Sequence, residues 1–370
     1  MQQKRVAVAG AGLAGLSCAL ALEAGGISPV VFERKPHAGQ RFAHISTVPL
    51  FAYHERDFSF GHLEKNYGIR VNPTAQFNKL ILKGVKNNAE IKGELGYLVT
   101  VGQSDDCLEM QLFKQLRTPV QFEKQVDPVT LTNEYDYVVV ATGAEEYANP
   151  ALRLGLWHDL IRAWIKVCTV LGNFEPGTLT IWRNRSYCRD GFAYLAPFNG
   201  RRATLGLNVT GISQKELSAY WQAFIRSERL DYDIIDIMER DHVAGRLSRH
   251  QAGNLLFTGD AGGFKEPLLG MGTMAAIASG VLAARAIING SDYEELVKPL
   301  LDWREKFIRL RRLLDHLDDA AYDRWLAVEG LWPVRKLMFE SGLPWMDLAG
   351  MLSVPLDWLR GGTDCITNDS

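Results

Sequence analysis

Arg5-Val-Ala-Val-Ala9, then Gly10-Ala-Gly12-Leu-Ala-Gly15, then Leu16 to Ala24, then Pro29-Val-Val-Phe32 and Glu33 decide the fold. An apolar run, a glycine turn, helically spaced apolar residues, a second apolar run and an acid read as strand, turn, helix, strand and carboxylate. Gly10 makes the tight turn, Gly12 lets the backbone reach a pyrophosphate, and Gly15 lets the helix pack on the strand. Glu33 lies at the spacing of the carboxylate that binds a ribose diol. A lone glycine pattern is weak evidence. Set at residue 10 between two strands and followed by that acid, it specifies a dinucleotide site.

A second stretch, Phe257-Thr-Gly-Asp-Ala-Gly-Gly-Phe-Lys-Glu-Pro-Leu-Leu-Gly-Met-Gly-Thr273, continues into small residues as far as Ala284. An apolar strand from Leu255 to Thr258 ends in Gly-Asp, and a glycine-rich turn leads to a helix beginning near Gly272. Its glycines let the backbone approach a ligand closely. The helix start offers unpaired N–H groups and a positive dipole end, suited to an oxyanion or an electron-rich ring edge. Asp260 at the strand end can accept hydrogen bonds from sugar-type hydroxyls. Two plainer readings compete: a strand-turn-helix crossover without ligand, and a membrane span, because Pro267 to Ala284 carries no charge. The Gly, Ala, Ser and Thr content and the polar flanks favour a helix buried in a soluble domain.

The chain of 370 residues has room for two domains or one with an inserted module. A hydrophobic fraction of 47% and a charged fraction of 23% are those of a globular protein, and a net charge of -2 leaves no basic footprint for nucleic acid. Cys18, Cys107, Cys168, Cys188 and Cys365 are scattered without a CxxC pair, which argues against a zinc site or a disulfide framework. No metal is expected. The N-terminus enters a strand at once, so a cytoplasmic location without a leader is the expectation.

Arg34 and Arg41, just past the second strand, either hold the pyrophosphate from its other side or belong to a solvated loop. Lys79 to Leu82, Ala89 to Lys92 and Tyr97 to Val101 alternate as antiparallel strands. Gly102-Gln103 closes the last of these, and a helix over Asp105 to Leu116 takes Ser104 as its cap. Val120 to Glu123 and Tyr137 to Ala141 are further strands, the latter ending in Thr142-Gly143. Asp159 to Leu171 is expected to be a helix. Leu179 to Arg183, Gly191 to Pro197 and Arg202 to Val209 are expected to form a second sheet with one open face, and Gln214 to Arg226 a helix. Phe192, Tyr194 and Phe198 on or beside its middle strand either pack a core or wall a cavity. Tyr293 to Leu317 reads as a basic amphipathic helix, lying on a membrane surface or packing its charged face on its own protein. Trp325, Trp332, Trp345 and Trp358 make the tail aromatic. No second GxGxxG occurs, so no separate nicotinamide domain is expected.

The order Gly10-x-Gly12-x-x-Gly15, Glu33, Ala141-Thr142-Gly143, Gly259-Asp260, Pro267 and Gly270-x-Gly272 resembles a flavoprotein group. Its members are geranylgeranyl reductases, hydroxylases of the p-hydroxybenzoate hydroxylase type and flavin-dependent halogenases. The likeness covers about residues 4 to 290. Geranylgeranyl reductases are nearest in texture, with an aromatic strand ending in proline like Gly191-Phe-Ala-Tyr-Leu-Ala-Pro197. The resemblance implies bound FAD held by Gly10, Gly12, Leu13, Ala14, Gly15, Glu33, Arg34, Arg41, Gln103, Val126, Thr142 and Gly143. Gly259, Asp260, Pro267, Gly270, Met271, Gly272 and Thr273 are implied to meet its ribityl chain and ring. Tyr53, Tyr194 and Phe198 would face an apolar substrate. The implied architecture is α/β with an α+β insert. A Rossmann-type FAD-binding domain spans 1–148 and 243–290, an antiparallel-sheet substrate domain 149–242, and a helical C-terminal region 291–370. Part of the substrate sheet is inserted near 44–100.

Departures fall around the ring face. Glu266-Pro-Leu-Leu-Gly-Met-Gly-Thr273 stands where reductases of the group read Asn-Pro-Leu-Thr-Gly-Gly-Gly-Ile. His44-Ile-Ser-Thr-Val-Pro49 stands where many carry Pro-Cys-Gly, and the halogenase Trp-x-Trp-x-Ile-Pro signature is not present. The implied function is an FAD-dependent oxidoreductase that reduces or oxidises an apolar or lipid-like molecule. The alternatives are a hydroxylase using NAD(P)H and oxygen, and a flavin-free protein resembling the Rab dissociation inhibitors. The electron donor is NAD(P)H or a separate redox protein. No residue is assigned a catalytic role.

Overall fold

The structure is a computed structural model describing residues 4–50, 59–145 and 149–329. Strand β1 (Val6–Ala9) leads through the first glycine turn into α1 (Leu13–Ala24) and β2 (Val30–Phe32). The chain then crosses to a second layer through β3 (His44–Pro49), α2 (Phe60–Tyr67), β4 (Ala75–Lys83) and β5 (Asn88–Val101). It returns by α3 (Leu108–Gln115), β6 (Val120–Gln121), α4 (Pro128–Leu131) and β7 (Tyr137–Val140). After α5 (Pro150–Arg153) it crosses again, through β8 (Trp157–Leu171), β9 (Thr178–Trp182), α6 (Arg185–Cys188) and β10 (Phe192–Pro197). That excursion ends with β11 (Arg202–Thr210), α7 (Gln214–Ser227) and β12 (Asp233–Leu247). The last return takes β13 (Gln251–Ala252), β14 (Leu255–Phe257), α8 (Thr273–Asn289), α9 (Tyr293–Asp315) and α10 (Asp319–Glu329).

Two sheets result. The first runs β13-β14-β7-β1-β2-β6 and is parallel except for β13. Its central strands are buried on both faces, which is why Val6-Ala-Val-Ala9 and Tyr137-Val-Val-Val140 read as unbroken apolar runs. The second runs β12-β8-β11-β10-β9-β4-β5-β3 and is antiparallel except for the β4–β9 pair. One face packs Cys168, Val170, Ala193, Leu195 and Leu207 against Leu217, Trp221 and Phe224 of α7.

Helix α8 is small-residued because it crosses α1 at backbone contact. A Cβ on Gly280 would stand 2.2 Å from the Ala14 carbonyl oxygen. Ser17 Oγ donates to the Ile277 carbonyl at 3.1 Å across the same crossing. Thirteen of its residues are buried, and Arg285 marks its exposed side. Among the described residues no helix is long and apolar enough to cross a membrane. Two of the four arginines of α9 turn inward, Arg309 and Arg312 staying exposed: Arg304 Nη1 donates to the Gly263 carbonyl at 2.6 Å and Arg311 Nη1 to that of Pro267 at 3.3 Å. They hold the second glycine stretch from behind. Trp325 packs on Tyr322 at 5.6 Å, while Trp332, Trp345 and Trp358 lie outside the described residues.

Two expectations are corrected. Asp159 to Leu171 is the long strand β8, not a helix. Its β-branched residues alternate, Ile165 and Val167 facing a cavity while Trp164, Cys168 and Val170 face α7. The helix expected from Asp105 starts at Leu108 with Cys107 as its cap. Ser104 closes the preceding turn, its carbonyl accepting the Cys107 N–H at 2.8 Å. Strand β12, pairing along the whole of β8, was not foreseen, and it carries the second sheet past residue 242 to Leu247.

Candidate functional site

The two glycine stretches and the unpacked face of the second sheet enclose one cavity of about 710 Å³. The first glycine turn is dictated sterically. Gly10 has φ +113°, where a Cβ would lie 2.3 Å from the Ala141 carbonyl oxygen, and a Cβ on Gly15 would lie 1.8 Å from that of Gly10. By contrast, a Cβ on Gly12 or Gly143 meets nothing within 4 Å. These two glycines leave space on the side where a ligand backbone would run. Between them Thr142 keeps a buried hydroxyl with no partner among the described residues. A cradle of bare backbone with an orphaned hydroxyl fits a pyrophosphate.

Glu33 is 8% exposed at the end of β2. Its two oxygens accept the N–H groups of Ala11 at 2.8 Å and Lys35 at 2.9 Å. A carboxylate has about four acceptor positions, so two remain for a diol. Arg34 is held by the carboxylate of Glu145. Arg41 is exposed and off the cavity wall. Gln103 is also off the wall, its amide 2.8 Å from the His37 ring. Val126, Leu13 and Ala14 line the same end.

At the other end Gly259, Asp260, Gly270, Met271, Gly272 and Thr273 line the wall. Gly259 N–H donates to Ser279 Oγ at 2.9 Å, which ties the strand end to α8. Asp260 pairs with Lys265 at 2.5 Å. Gly272 caps α8 without a side-chain acceptor, so the helix start faces the cavity with free N–H groups. Thr273 Oγ1 and Ser46 Oγ of β3 hydrogen-bond at 2.8 Å. Pro267 lies behind the wall, where its carbonyl receives Arg311.

The sheet contributes Ile165, Val167, Leu179, Ile181, Phe192 and Tyr194. Tyr194 stands opposite Gly206, and a Cβ there would come within 2.1 Å of the tyrosine ring. The glycine is the seat of the ring. Phe198 is off this wall: it sits in the turn after β10, 8% exposed, under the Arg202 guanidinium at 4.4 Å. Tyr53 lies outside the described residues.

Sequence reasoning gave no role to His44, His242, Arg240 or Lys265, all on the wall. His44 is pushed down to about 4, chiefly by burial and then by Arg240. Burial, Lys265 and Arg240 push His242 well below its ordinary value. Both imidazoles are neutral at pH 7. Burial raises the Tyr194 phenol, so it keeps its proton. Cys18, Cys107, Cys168 and Cys188 are buried thiols pushed upward by burial, unsuited to nucleophilic work.

A family model described as an NAD(P)-binding Rossmann-like domain matches residues 8–68. Over 172 residues the chain is 26% identical to digeranylgeranylglycerophospholipid reductase 3 of Methanosphaera stadtmanae, covering 42% of this chain and 43% of that protein. A match of 26% to digeranylgeranylglycerophospholipid reductase 2 of Methanothermobacter thermautotrophicus covers 42% and 44%. The chain thus spans less than half the length of the curated relatives it matches. Among solved structures, a geranylgeranyl bacteriochlorophyll reductase-like protein of Thermoplasma acidophilum superposes with a TM-score of 0.69. Its identity is 15%, and 94% of this chain and 99% of that one are covered. The flavin-dependent halogenase CmlS gives a TM-score of 0.60 at 16% identity, over 84% and 62%. This is the fold of the flavin-dependent oxidoreductases.

Proposed function

We propose that the chain is an FAD-dependent oxidoreductase that adds hydrogen to, or removes it from, an apolar lipid-like molecule. One observation carries this: a single cavity joins a dinucleotide-type wall of bare backbone and carboxylate to an apolar sheet face. Gly12, Thr142, Gly143 and Glu33 would take the adenosine and pyrophosphate, and Asp260 with Gly270 to Thr273 the ribityl chain and ring. Bound FAD would supply hydride transfer. The sheet residues exclude water from the place where an alkyl or alkenyl chain would lie. His242, held neutral, offers one ring N–H donor and one acceptor there and Tyr194 a hydroxyl, while His44 has its Nδ1 engaged by the Gln40 amide at 3.2 Å. The similarity to proteins named digeranylgeranylglycerophospholipid reductase supports a polyunsaturated lipid as substrate class. Only the first nucleotide fingerprint is present, so electrons would come from a transiently docked NAD(P)H or from a redox protein.

The test begins with the visible spectrum. Purified protein should be yellow, or become so with added FAD, and release FAD on heating. Chemically reduced protein mixed without oxygen with a geranylgeranyl lipid should reoxidise and yield the saturated product. Protein that takes up no FAD overturns the reading. Reoxidation that needs oxygen and hydroxylates the added compound transfers it to the hydroxylase class.

A further inference from the structure

Within the second glycine stretch lies a carboxylate with no contact to solvent. Glu266 is 0% exposed. Its side chain curls back under the loop that follows it: Oε2 accepts the Leu268 N–H at 2.6 Å, and Oε1 accepts those of Leu269 at 2.9 Å and Met271 at 2.8 Å. The loop closes on itself where the Glu266 N–H meets the Met271 carbonyl at 3.2 Å. Burial pushes the carboxyl up to about 7, against the three N–H groups and Arg311, which pull the other way. Arg311 on α9 also grips the Pro267 carbonyl and is itself tied to Asp315 at 2.6 Å. On the cavity side Lys265 is engaged with Asp260. His242 of β12 supports Gly270 from below, where a Cβ would stand 2.8 Å from Nε2.

The consequence is a sorting of backbone donors. The N–H groups of Leu268, Leu269 and Met271 turn inward to the carboxylate, whereas those of Gly270, Gly272 and Thr273 take no acceptor among the described residues. We propose that Glu266 is the positioning residue of the ring-facing loop, drawing the amides of Leu268, Leu269 and Met271 inward so that those of Gly270 and Gly272 are presented to the cofactor. The proposal rests on the flavin reading for the cofactor's identity, but the loop geometry does not depend on it. An amide in place of the carboxylate has one acceptor oxygen and an NH₂ that would confront backbone donors, so Gln is not equivalent.

The experiment is residue-resolved amide hydrogen exchange, with FAD titration of the same samples. In the wild type, Leu268, Leu269 and Met271 should exchange slowly. Gly270 and Gly272 should exchange quickly until FAD is added, then slow. In Glu266→Gln the three inward amides should lose protection and the FAD dissociation constant should rise about tenfold or more, the loss expected when buried backbone donors lose their acceptor. Equal exchange of inward and outward amides in the wild type overturns the proposal without any variant. A Gln variant that keeps FAD affinity overturns it too. Wild-type protein that takes up no FAD defeats the flavin reading, while the exchange of the inward amides still decides whether Glu266 holds the loop.

Discussion

The Glu33 carboxylate receives the Ala11 and Lys35 N–H groups, so its position is set by the same turn that shapes the pyrophosphate cradle. An acid fixed in this way loses little freedom when a diol arrives. Glu33→Ala should therefore weaken FAD binding by about 1.5–3 kcal/mol, the worth of a charge-assisted hydrogen bond. Fluorescence quenching of the flavin measures it, and unchanged affinity would show that Glu33 does not hold the ribose. His44 and His242 follow the opposite logic. Burial, and then the nearby cations, strip their charge, and neither should titrate between pH 6 and 8 when followed by NMR of the ring protons.

The crossing of α1 and α8 depends on the missing side chain of Gly280. Gly280→Ala places a methyl group against the Ala14 carbonyl and Ser17 Oγ, and overpacking of this kind costs about 1–3 kcal/mol. Denaturant melts should show that loss, whereas Arg285→Ala on the exposed side of the same helix should stay within about 0.5 kcal/mol. These helices and the strands β1, β2, β7 and β14 were legible in the sequence, because a parallel strand buried on both faces leaves an unbroken apolar run. Strand β8 was not. Leu160, Ile161, Trp164, Ile165 and Cys168 also satisfy a helical spacing, and only pairing with β11 and β12 selects the extended form. The glycines of the site could be read because their spacing within each stretch is a local pattern, although what a Cβ on Gly10 would meet is the distant Ala141 carbonyl. Arg240 and His242 could not, since they reach the cavity only through the register of β12 on β8. Gln103 shows the converse: a plausible local motif, turned away by a histidine sixty-six positions earlier.

Two buried carboxyls and two cavity-wall imidazoles pull the pH response of the molecule in opposite directions. Glu109 accepts the Gly102 N–H at 2.9 Å, and burial raises it to about 7; Glu266 is raised to about 7 by the same cause. Each carboxyl binds its proton more tightly folded than unfolded. The stabilisation is complete below the ordinary carboxylate range and is lost as pH rises through about 7. The carboxyls alone should lower the melting temperature as pH rises from 6 to 8, while His44 and His242, which bind protons less tightly folded than unfolded, offset part of that fall. Glu109→Gln, which keeps an acceptor for Gly102, should flatten part of that slope. A pH slope left unchanged in Glu109→Gln would show that the Glu109 carboxyl does not contribute to it.

The chain passes between its two sheets four times among the described residues. Neither layer is a stretch that a ribosome finishes before starting the other. The cradle at Gly12 is made well before the loop at Gly270 that faces it across the cavity, which emerges only after both excursions into the second sheet. During synthesis the early half waits with its ligand-facing backbone bare. A cofactor that arrives late, when α8 docks on α1, would act as the fastener of a fabric already woven. Supply of that cofactor should then govern how much of the newly made chain survives proteolysis rather than how fast it is produced.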